Sequence, residues 1–150
     1  MHPQLAAIVA DFERARSRMH RIATATPEER WAARPDPARW SVAECIAHLN
    51  LTSRAYIPLL RDAFSMHPAA AAASQHYRRD PVGALIGTLS GPMPRIGRFR
   101  FGRVKTKPEF VPSAALARAI VVAEFETLQD EQIAITRDAA GRPLEKIRIT

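Results

Sequence analysis

His48 is the side chain whose type and setting point most directly to a chemistry. It falls in WSVAECIAHLNLTSRAYIPLL, where Val42, Cys45, Ile46, Leu49, Tyr56, Leu60 and, four residues on, Phe64 recur at helical steps. That spacing describes one apolar face of a helix. At roughly 100° per residue His48 lies about 60° from Cys45, at the border of the stripe. An imidazole there, beside Cys45 and Thr52, could coordinate a metal in a bundle interior.

Other candidates carry less. PRIGRFRFGRVKTK places Arg95, Arg98, Arg100, Arg103, Lys105 and Lys107 around Phe99 and Phe101, and basic residues interleaved with aromatics suit a stacking platform for single-stranded nucleic acid. The competing reading is a long connection whose apolar residues pin it to the bundle while its cations face water. Glu124 and Gln132 fall at or inside an apolar helical stripe, either as partnered structural groups or as ligands to something held between helices. Pairing with an arginine is the expected outcome for Glu124. His20 lies on a polar flank and reads as solvated. His67 and His76 stand nine residues apart, without the i,i+3 or i,i+4 partner that would converge them on a metal. Trp31 and Trp40 flank a Pro-rich link, and packing over the bundle end is favoured over lining a ligand pocket.

The elements that must position these residues are helices. The first runs from Pro3 to Ala25, with a stripe of Leu5, Ile8, Val9, Phe12, Ala15, Met19 and Ile22. Thr26, Pro27 and Glu29 read as a capping box opening a short helix that ends before Pro35. Ser41 and Glu44 form a second S-x-x-E box, from which a long helix extends to between Ser65 and Ala73. Pro58 lies inside it and predicts a kink or a break. Asp80 to Leu89 reads as a short helix. A third long helix spans Ser113 to Asp138 on Val121, Phe125, Leu128 and Ile135, with Gly141 as its stop. LEKIRIT reads as a short extended piece.

Composition agrees. The 150 residues, 47% hydrophobic and 25% charged, make one globular domain over 1–150 with a real core. One cysteine permits no internal disulfide. No apolar run is long enough for a membrane span, and the N-terminal stretch carries acids and reads as an amphipathic helix, so a cytoplasmic protein is expected. The net charge of +7 admits a polyanion partner. Yet 19 of its 22 basic residues are arginine, a bias that coding composition also produces. Nucleic acid is therefore not the expected partner.

WAARPDPARWSVAECIAHLNLTSRAY resembles the second-helix signature of the DinB-like (YfiT-like) superfamily of four-helix bundles. The shared features are a Pro-rich approach, a Trp-Ser start and a His-Leu pair in this spacing. KTKPEFVPS is similar to that family's connection into its third helix. The resemblance implies a metal-dependent hydrolase or thiol (S-)transferase of unknown small-molecule substrate, with zinc or nickel held by three histidines and His48 in the position of the first. The other two would form an H-x-x-x-H pair on a fourth helix following a segment like LEKIRIT, and no such pair occurs here. Either the chain lacks that element or this member has abandoned the metal, and metal is expected to be absent or substoichiometric.

The expected architecture is an all-α, DinB-like up-down bundle with three long helices and a long basic connection between the second and third. Three amphipathic helices without a fourth leave an apolar groove about 20 to 30 Å long, beyond what a soluble monomer usually exposes, so a homodimer is expected. The alternative to enzymatic function is a non-catalytic interaction or anion-binding module working through Arg95–Lys107.

Overall fold

The computed structural model describes residues 1–69, 77, 106–112 and 117–147. These form helix α1 (Pro3–Ala25), a single turn α2 (Glu28–Trp31), α3 (Val42–Met66) and α4 (Arg118–Asp138), with 3-10 turns at Pro108–Phe110 and Leu144–Lys146. Among the described residues there is no strand, and the chain is an all-α bundle.

Local chemistry explains the boundaries. In α1 Pro3 occupies the first turn, where a missing N–H costs nothing, and the His2 ring accepts from the Gln4 N–H. The box at the start of α3 closes in both directions: Glu44 N–H donates to Ser41 Oγ at 3.2 Å, and Ser41 N–H donates to Glu44 Oε2 at 2.8 Å. Pro58 neither breaks nor ends α3; it sits exposed on the helix surface. Gly141 supplies the left-handed turn after α4, with φ 79°.

Three expectations are corrected. Thr26 does not cap α2, because its hydroxyl donates backwards to Ile22 O and ends α1. Ala117 is extended, so the third long helix begins at Arg118 rather than Ser113; residues 113–116 lie outside the described residues. Leu144–Lys146 winds into a 3-10 turn where an extended piece was expected. Pro143, with its fixed φ, precedes that turn.

Cross-helix pairs set the directions. Arg54 meets Glu124 and Arg61 meets Glu131, so α3 and α4 run parallel. Arg16 meets Asp130 and His20 meets Glu126, so α1 runs against α4. Because α3 and α4 are parallel, the end of α3 and the start of α4 stand at opposite ends of the bundle, about 30 Å apart for helices of this length.

α4 packs along both α1 and α3. Its apolar residues enter two clusters. One joins Met19, Ala23, Trp31, Ala43, Ile46, Val121 and Phe125; the other joins Leu5, Ile57, Phe64, Leu128, Ile135 and Ala139. Between them lies a buried polar belt of Asn50, Ser53 and Gln129. Asn50 donates to Val121 O at 3.0 Å and to Glu124 Oε2 at 3.1 Å, and Gln129 donates to Gln132 Oε1 at 2.9 Å. With the Arg54 ion pair, Glu124 is a partnered structural group, as expected for it.

The buried face of α3 differs from the expected stripe. Ala43, Ile46, Ala47, Asn50, Ser53, Ile57 and Phe64 face inward, whereas Cys45 is exposed and Leu49 and Tyr56 are about half exposed. At 100° per residue the inward face is turned roughly 75° from the expected stripe, Ile46 and Phe64 being common to both. Small residues let two helix backbones come close, and the run of alanine, serine and asparagine marks where α4 lies. On α1, likewise, Leu5, Val9, Met19 and Ala23 are buried while Ile8 and Ile22 stay partly exposed.

Candidate functional site

The approach to α3 is a folded turn that leads directly into Trp40. Asp36 Oδ1 accepts from Ala38 N–H at 2.7 Å, and Arg39 N–H donates to Asp36 O at 2.9 Å, an Asx turn closed by a backbone bond. Arg34 reaches over this turn. Its Nε donates to both Glu44 oxygens at 3.0 Å, its Nη2 pairs with Glu44, and its Nη1 reaches Pro37 O at 3.3 Å. The guanidinium, aided by the Ser41 donors, holds the Glu44 carboxyl well below the usual range, at about 2. One carboxylate thus serves as helix cap and as anchor for the link.

Trp40 then lies against His48, ring centroids 5.0 Å apart and tilted by 56°. On another side, Phe110 of the 3-10 turn approaches edge-on at 6.4 Å. His48 Nδ1 is 2.9 Å from Phe110 O. A carbonyl oxygen only accepts, so Nδ1 must carry the hydrogen, which in the neutral ring leaves the Nε2 lone pair as the available donor to an electrophile. This is how metal-ligating histidines are commonly oriented, one nitrogen bound to a backbone carbonyl and the other directed to the ion.

The surroundings of His48 correct the expected interior site. Thr52 Oγ1 donates to His48 O at 2.9 Å, an ordinary bond back to its own helix. Cys45 is on the exposed side, and its thiol is pushed up, first by desolvation from neighbouring protein and then by the Glu44 carboxylate. A raised thiol is a poor thiolate at neutral pH and hence a poor ligand or nucleophile. His67 Nδ1 is tied to Ala63 O at 2.8 Å and His20 pairs with Glu126 at 2.8 Å. His76 lies outside the described residues. Among the described residues no three His, Cys, Asp or Glu side chains converge to hold a metal. They supply one ligand, against the three or four that zinc requires, and do not by themselves fit the ion.

A family model described as the DinB superfamily matches residues 11–148. The chain belongs to the DinB superfamily. No curated protein and no solved structure matched in the same comparisons. The match covers both stretches that carried the resemblance, and in the DinB bundle these stretches touch: the His48 ring of one is bonded to the Phe110 carbonyl of the other.

Of the basic segment, Arg95, Arg98, Arg100, Arg103 and Lys105 lie outside the described residues. Lys107 is exposed, precedes the 3-10 turn and stands 3.9 Å from Glu109. Phe110 was the contributor that sequence reasoning missed. The available signal was Pro108, whose fixed φ and missing N–H favour the first position of a turn in KPEF.

Two arginines outside the candidate site also escaped notice. Arg118 donates to Ala23 O at 2.8 Å and Thr26 O at 2.7 Å, capping the C-terminus of α1 while lying 4.8 Å from the Trp31 ring centre. Arg142 does the same for α3, donating to Phe64 O at 2.6 Å and His67 O at 2.8 Å over the Phe64 ring.

Proposed function

We propose that this DinB-superfamily chain is a relative of metal-dependent hydrolases or thiol transferases in which His48 Nε2 is one ligand of a divalent transition-metal centre. The observation that carries the reading is the Nδ1–H bond from His48 to Phe110 O, 2.9 Å across 62 residues of chain. A histidine needed only to fill space beside Trp40 has no requirement for a fixed tautomer. With one ligand among the described residues, the chain as purified should hold less than one zinc or nickel per chain.

The test separates the tautomer from the ligation. Nitrogen-15 NMR of the ring should report Nδ1–H and an unprotonated Nε2. Added zinc should shift that Nε2, and His48→Gln should abolish the zinc-dependent change. Zinc binding that is indifferent to His48→Gln overturns the reading. One tightly held metal per purified chain, lost on His48→Ala, would overturn the expected substoichiometry.

We further propose a homodimer. It is supported by Leu49 and Tyr56, 49% and 48% exposed on α3, and by Ile8 and Ile22, 38% and 40% exposed on α1. Light scattering at micromolar concentration should give twice 16.7 kDa; a monomer that does not change on dilution refutes it.

A further inference from the structure

A cleft of about 460 Å³ opens between the end of α1 and the Pro-rich link. Pro27, Pro35, Val42 and Trp40 form apolar wall, and Arg30 and Arg34 stand on it. Its volume lies in the range of small-molecule sites. The two arginines are not equivalent. Arg34 has its donors committed to Glu44 and Pro37 O, and its charge is balanced by that carboxylate. Arg30 makes a backbone bond to Pro27 O, but among the described residues its guanidinium has no hydrogen bond or ion pair. Thr26 cannot compete for a ligand as a donor, because its hydroxyl proton is given to Ile22 O.

The wall is fixed. Trp40 is braced by His48, and the link beneath it is held by the Asp36 turn and the Arg34–Glu44 pair. An aromatic platform that does not need ordering favours a flat apolar ligand. A planar guanidinium matches a carboxylate with two parallel hydrogen bonds. We propose that this cleft binds a small aromatic carboxylate, its ring on Trp40 and its carboxylate on Arg30. The site stands apart from the metal reading, since neither Arg30 nor the cleft wall is asked to hold an ion.

Benzoate is the probe and benzyl alcohol its uncharged counterpart, with the Trp40 indole N–H followed by NMR in the full chain. Trp31, 2% exposed, serves as the internal reference. Benzoate should shift the Trp40 signal saturably. Benzyl alcohol should bind at least about tenfold more weakly, the scale expected from losing a hydrogen bond to a charged group. Arg30→Gln should weaken benzoate by a similar factor while leaving the melting temperature unchanged, because the side chain is exposed and unpaired. Equal binding of acid and alcohol, no effect of Arg30→Gln, or no saturation by about 10 mM would overturn the proposal.

Discussion

The two ends of the bundle close with the same device and differ in what is added to it. At one end Arg118 gathers the last carbonyls of α1 and lies over Trp31; at the other Arg142 gathers those of α3 and lies over Phe64. Each arginine answers the orphan carbonyls that every helix C-terminus leaves. The Arg118 end adds the reciprocal cap on α3, the Arg34–Glu44 anchor and the His48–Phe110 bond. The far end adds to its apolar packing and clamp a two-way bond, in which the Gln4 side chain donates to Tyr77 O at 3.0 Å and accepts from Tyr77 N–H at 2.8 Å. The lesson lies in what the added bonds hold: at the far end they tie down backbone, whereas at the Arg118 end one of them fixes the His48 ring against a turn 62 residues away. That is the arrangement a site requires.

The largest effect should come from emptying either end. Trp31→Ala and Phe64→Ala should each cost about 3–5 kcal/mol in urea unfolding, the usual cost of an aromatic cavity. The comparison is sharpened by the Trp40 indole signal, which should move with Trp31→Ala and remain with Phe64→Ala.

Replacing the clamps comes next. Arg118→Met and Arg142→Met keep the apolar stem but remove the donors, and should cost about 1.5–3 kcal/mol each, the scale of hydrogen bonds to a charged group. A loss of less than about 0.5 kcal/mol at either end, within the range of neutral surface changes, would show that the two ends are not closed alike.

Ser41→Ala should cost about 1 kcal/mol by removing the cap acceptor. The same region has its own pH dependence. Glu44 is held at about 2 in the folded chain against an ordinary value of 4.5, so the unfolded chain binds its proton first as pH falls. The contribution is therefore complete above about pH 4.5 and declines as pH drops towards 2. Glu44→Gln should remove that decline from a series of unfolding curves, and an unchanged acid limb would show that the anchor contributes nothing.

The smallest effect should be that of Asp11→Asn. Its pair with Arg14 is exposed on both sides, 70% and 69%, and such pairs are worth about 0–1 kcal/mol. A shift in melting temperature comparable to that of Ser41→Ala would argue that this solvated face is an interface.

The sequence by itself determined what a few neighbouring residues can determine. Pro3 and the residues around Thr26 bound α1 at Pro3–Ala25, Ser41 with Glu44 started α3, and Gly141 marked the stop beyond α4, because caps and left-handed turns act within four residues. The stripe of Val121, Phe125, Leu128 and Ile135 was legible for the same local reason. Tertiary structure decided the rest. Which face of α3 is buried depended on how closely α4 could approach Ala43, Ala47 and Ser53, and periodicity of large apolar residues alone misplaced Cys45 and Leu49 inward. The parallel course of α3 and α4, the arginine clamps and the tautomer of His48 all rest on partners tens of residues away. His48 could be named from its helix, but only the carbonyl of Phe110 assigns the hydrogen to one of its nitrogens.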